Sequence, residues 1–76
     1  MFKNLPVNVF YSDETNQYIA FVPGLSWMQT QAKTIDEAMK NLQEIYDMLK
    51  EDEDFMKELE HYGRFIGFYS LNLKNA

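Results

Sequence analysis

Acid–base or metal chemistry in this chain would fall to one histidine, His61, and twelve Asp and Glu residues; there is no cysteine. A general base needs a nucleophile or an orienting acid within hydrogen-bond reach. The serines Ser12, Ser26 and Ser70 are scattered and sit in no nucleophile motif. One histidine without cysteine cannot build a Cys/His zinc site. The densest acidic run, Glu51-Asp52-Glu53-Asp54, lacks the alternating Asp-x-Asp-x-Asp-Gly spacing of a calcium loop. Nor do the three glycines form a loop that could cradle phosphate. These residues predict no enzyme, no metal site and no cofactor. His61 reads as a helix-end surface residue, and the acidic run as a solvated connection.

The charges are unevenly spread. From Thr34 to His61 there are ten acids against Lys40, Lys50 and Lys57, a net of −7; the rest of the chain is +2, giving −5 in total. Proteins that bind nucleic acid usually carry a basic stripe that displaces counterions from phosphate. An acidic segment of this size argues against direct nucleic-acid binding. It predicts either a face that keeps the chain in solution or one that meets a basic partner.

The elements that carry these charges follow from periodicity. Pro6 to Ser12 alternates Val7, Val9 and Tyr11 against Asn8 and Phe10, which predicts a strand. Asp13 to Gln17 is a polar turn. Tyr18 to Val22 is apolar throughout, as in a central strand, and completes a hairpin. Pro23-Gly24 breaks it. Ser26 to Ala32 alternates again and predicts a third strand. A helix starts at Thr34, with Glu37 completing a capping box and Asp36 also in the first turn. Ile35, Ala38, Met39, Leu42, Ile45, Tyr46 and Leu49 make its apolar stripe. A short second helix carries Phe55, Met56, Leu59 and Tyr62, with Gly63 as its C-cap. Arg64 to Leu73 is aromatic and apolar and predicts a fourth strand, bulged or closely approached at Gly67. The predicted class is α+β, in the order β-β-β-α-(short α)-β. Residues 1–76 form one domain, a four-stranded sheet with one main helix packed on one face.

A 76-residue chain buries a small core. With disulfides and a Cys/His zinc site excluded, self-association is the expected supplement. Six Phe, five Tyr and one Trp supply apolar surface for a homo-oligomer interface. The last strand, Phe65 to Leu73, or the sheet edge would provide it. The first residues are too short and polar for a secretory signal. No apolar run approaches the ~20 residues that span a bilayer. A soluble, cytoplasmic protein is expected, with no membrane partner.

One stretch carries a family resemblance. Val22-Pro23-x-Leu25, followed by Thr30-Gln31-x-x-Thr34-Ile35-x-Glu37-Ala38, resembles the signature of HicB-type antitoxins. The preceding Tyr18-Ile-Ala-Phe strand and the Asn41-Leu42-x-Glu44 continuation agree in order and spacing. The resemblance spans roughly Val7 to Leu73. It departs at Leu25-Ser26-Trp27-Met28, where the family often has Leu-Pro-Gly-Cys. It departs again at Ala32-Lys33, where the family has Gly-Asp, which implies a different local backbone.

The resemblance implies a partial ribonuclease H-like fold and a small basic mRNA-cleaving toxin as partner. Many members add a DNA-binding module; with the chain ending at Ala76, none is expected here. Ribonuclease H chemistry needs carboxylates on the strands converging on two metal ions. The predicted strands contain no Asp or Glu. A non-catalytic binding module is therefore expected, with Trp27, Met28, Glu44, Asp47 and Glu51 as candidate contacts. The alternative is an orphan domain of the same fold that self-associates and has no toxin.

Overall fold

Local chemistry fixes the main helix first. A computed structural model describes residues 4–63, 66–67 and 69–73. Thr34 is extended, and its Oγ1 accepts from the Glu37 backbone N–H at 3.1 Å. From this cap α1 runs Ile35–Leu49. Its apolar stripe buries Ala38 and Leu42 fully, while Ile45, Tyr46 and Leu49 pack at the margin. Asp52 caps the next helix, α2 (Glu53–Glu60), by accepting from the N–H groups of Asp54 and Phe55. A T-shaped contact between Tyr46 and Phe55, with ring centroids 6.2 Å apart, joins the two helices.

Three antiparallel strands form the sheet: β1 (Asn8–Ser12), β2 (Gln17–Phe21) and β3 (Gln29–Ala32), in the spatial order β1-β2-β3. β2 is central, as its apolar run predicts. The β1–β2 turn closes with a bond from Asn16 N–H to Ser12 O, Asn16 adopting φ 55°. In the register, Val9 opposes Ala20, which opposes Thr30; Tyr11 opposes Tyr18, which opposes Ala32. Directly opposed residues share a face. This is the helix face, because Asn41 Nδ2 of α1 donates to Thr30 Oγ1 at 3.3 Å. Phe10, Ile19 and Phe21 point the other way, and the rings of Phe10 and Phe21 stack 5.9 Å apart.

The predicted third strand starts too early. Val22 to Met28 is instead a pair of turns, with Leu25 N–H bonded to Val22 O and Met28 N–H to Leu25 O. Leu25 and Met28 are both buried, at 3% and 4% exposure. Residues three apart can both point inward from a turn but not from an alternating strand. Gly24 holds φ +83° at the third position of the first turn, after Pro23, which is the type II arrangement.

The four-stranded sheet is the main correction. Among the described residues the sheet has three strands, and the order is β-β-β-α-α, still α+β. Of the predicted fourth strand, Arg64, Phe65 and Phe68 lie outside the described residues. Ile66, Gly67 and Tyr69–Leu73 belong to no element. β-propensity describes fitness for a pleated, half-buried surface, and it produces a strand only where a neighbour supplies the ladder. None of the three strands does so for this segment. Gly63 does not cap α2 either: His61 does, its N–H bonded to Lys57 O, and Tyr62 N–H bonds to Leu59 O. Ala32, at the position where the resemblance has glycine, lies within β3, and Asn16 is the sole non-glycine with positive φ among the described residues.

Candidate functional site

The acidic helical surface is built from α1, α2 and their junction. Glu44 and Asp47 are three apart on α1, opposite the stripe that buries Leu42, and both are exposed. Glu51 follows at the next step, just beyond the Lys50 C-cap. Gln43 Nε2 donates to Asp47 Oδ1 at 3.3 Å, and Lys50 Nζ lies 3.7 Å from the same oxygen. All ten acids of the segment are exposed. Asp52 has a structural task as the α2 cap, so the run Glu51–Asp54 is a helix junction first. Among the described residues no three of His, Asp and Glu come together to hold a metal.

The other predicted contacts sit elsewhere. Trp27 is 66% exposed, in the turns between β2 and β3. Met28, its neighbour, is buried in the core with Ala20, Val22 and Leu42. The fold thus unites Glu44, Asp47 and Glu51 on one surface and sets Trp27 on a separate loop. His61 is exposed at the end of α2. Among the described residues its ring has no hydrogen-bond or ion-pair partner.

Two residues outside the predicted set position the site. Asn41 fixes α1 over β3 through Thr30. Tyr62 Oη donates to the Pro23 carbonyl, which anchors the end of α2 to the β2–β3 turn. The Tyr62 ring also lies 3.6 Å from where a Cβ on Gly24 would stand. Asn41 had a signal, a polar residue flanking the apolar stripe. Tyr62 reads from the sequence only as part of the apolar face of α2.

Beside α1 lies a groove of about 530 Å³. Leu5 and Val7, leading into β1, form one wall; Met39, Leu42 and Tyr46 of α1 and Met56 of α2 form others. Among the described residues no charged side chain lines it. Sequence reasoning missed this groove because it depends on where α1 crosses the sheet. The helix packs on β2 and β3. Val9 and Tyr11 of β1, on the same face, stay 39% and 51% exposed.

The arrangement is a small α+β domain that offers surfaces: carboxylates along two helices and an apolar groove at the sheet edge. The chain is 40% identical over 59 residues to the UPF0150 protein ssr1258 of Synechocystis sp., covering 78% of this chain and 80% of that protein. It belongs to the UPF0150 family. No family model matches the chain, and no solved structure matches it significantly. Among the described residues no helix is long and apolar enough to cross a membrane.

Proposed function

We propose that this domain is a non-catalytic, cytoplasmic binding module of the antitoxin type, which covers a small basic RNA-cleaving toxin. The observation that carries the reading is the charge separation: ten exposed carboxylates against three lysines between Thr34 and His61. The motif order that resembles HicB antitoxins supports it, as does membership of the UPF0150 family. Glu44, Asp47 and Glu51 would steer and orient a basic partner, while Trp27 would be an apolar anchor. Met28 is left out because its side chain belongs to the core. The test is capture of the tagged protein from its native cells, followed by mass spectrometry. A small basic protein in fixed ratio, released at high salt, is expected. Recovery of the bait alone would overturn the reading.

A second reading is favoured by the exposed apolar side chains of Tyr69, Leu71 and Leu73. Under it the domain self-associates and has no toxin. A concentration-independent monomer mass by light scattering would contradict it.

A further inference from the structure

We propose that Tyr69–Leu73 of one copy adds as a strand to the open edge of β1 in a second copy, with its apolar side chains over the groove beside α1. The proposal rests on the self-association reading and names its interface.

Four observations lead there. The first is the segment itself. Tyr69, Leu71 and Leu73 alternate with Ser70 and Asn72, the pattern of a strand with one face buried. Yet the three apolar residues are 85%, 84% and 64% exposed, and the segment pairs with no strand. The second is reach. The radius of gyration is 14.3 Å, against about 11 Å for a compact chain of this length. One principal extent is 43 Å and another 18 Å. An exposed arm on so elongated a molecule is placed to meet a neighbour.

The third observation is the receiving edge. Among the described residues β1 has β2 on one side and no strand on the other, so its outer N–H and C=O groups offer a template for pairing. It is five residues long, as is Tyr69–Leu73. The opposite edge, β3, is less suited. There Ala32 is 3% exposed and Thr30 is bonded to Asn41, so α1 already covers the inner face. At β1 the helix leaves Val9 and Tyr11 uncovered, and Leu5 and Val7 continue that face into the groove.

The fourth is charge. The chain is strongly acidic, yet among the described residues neither the groove lining nor Tyr69–Leu73 carries a charged side chain. A basic toxin would find no carboxylate in the groove, and a neutral apolar strand meets no unpaired charge. The acidic helix faces stay free for another partner. Reciprocal exchange of two arms closes into a two-fold dimer, in which each arm fills the other copy's groove.

The absence of cysteine allows a direct test. Full-length chains carrying Val9→Cys alone and Leu71→Cys alone are mixed and oxidised, and the double variant is oxidised by itself. Both positions are exposed, so neither substitution disturbs the core. The proposal expects a disulfide-linked Val9→Cys/Leu71→Cys heterodimer, and from the double variant a dimer rather than an internally bridged monomer. Light scattering on the unmodified chain should give twice the 9.1 kDa chain mass. Leu71→Asp should return it to 9.1 kDa with unchanged helical circular dichroism. A monomeric unmodified chain would overturn both self-association and this interface. If the dimer survives Leu71→Asp, or the mixed chains fail to cross-link, self-association stands and arm exchange is wrong. An internal bridge in the double variant would show that the arm folds back on its own β1, and would also overturn the proposal.

Discussion

On its β3 flank the sheet is closed: α1 covers Thr30 and Ala32, and Asn41 holds the helix in place. On its β1 flank the same face carries Val9 and Tyr11, which are larger, and leaves them half in water. The amount of apolar side chain does not decide which flank is covered. The crossing of α1 does, and one polar contact plus two small alanines, Ala20 and Ala38, set it. Both alanines are at 0% exposure. They let the helix approach β2 closely, and that approach places the apolar excess of α1, Met39 among it, toward the groove. The closed flank builds stability, whereas the open one leaves apolar surface uncovered.

Paired substitutions would test that division. Leu42→Ala, where the groove wall meets the core at 3% exposure, should cost about 2–5 kcal/mol, the range for a fully buried leucine. A domain of this size holds only a few kcal/mol in all. Urea denaturation followed by circular dichroism should therefore find it largely unfolded. Met39→Ala, on the groove wall at 43% exposure, should cost far less and remain folded. Equal losses at the two positions would break the comparison.

The next effect is smaller and lies at the junction. Asp52→Ala removes the acceptor for two backbone N–H groups at the start of α2 and should cost about 0.5–2 kcal/mol. Tyr62→Phe removes one hydrogen bond to the Pro23 carbonyl and should cost about 0.5–1.5 kcal/mol. Because both act where α2 meets the rest of the fold, hydrogen exchange should quicken in α2 before α1. Uniform acceleration would mean that α2 is not a separately released unit.

The same contrast explains what could be read from sequence. α1 was legible because its signals are local: a threonine cap, acids in the first turn and a stripe repeating every three to four residues. The β1–β2 hairpin was legible from alternation and a polar turn, with boundaries within two residues. The third strand was shortened because Leu25 and Met28, three apart, are both drawn into the core. The fourth strand was not legible as present or absent, since pairing is a property of two segments. Tyr69–Leu73 has strand chemistry whether or not a partner edge lies beside it. That Glu44, Asp47 and Glu51 share one exposed helical surface was readable from their spacing. Met28 lies in the core beside exposed Trp27, and no signal in the sequence told the two neighbours apart as contacts. The groove had no sequence signature, because its walls come from the chain before β1, the β2–β3 turns and both helices, which only the tertiary fold brings together.

The smallest stability effect should come from the residues proposed to matter most for binding. Asp47 and Lys50 pair at 3.7 Å with side chains half exposed, a geometry that contributes at most about 0.5 kcal/mol. Glu44 and Glu51 are exposed, and among the described residues no cation lies within salt-bridge distance of either. Changing Glu44, Asp47 and Glu51 to lysine together should leave the urea midpoint nearly unchanged. It should even raise it slightly, because three negative charges leave a segment that carries seven in excess. Association with a basic partner should respond oppositely. Its on-rate at low salt should fall at least tenfold, and the gap should shrink as salt screens the charges beyond about 10 Å at 0.1 M. A variant that unfolds would place these carboxylates in the stability of α1. A variant that folds and binds at the original rate would remove the acidic face from recognition and leave Trp27 as the remaining proposed contact.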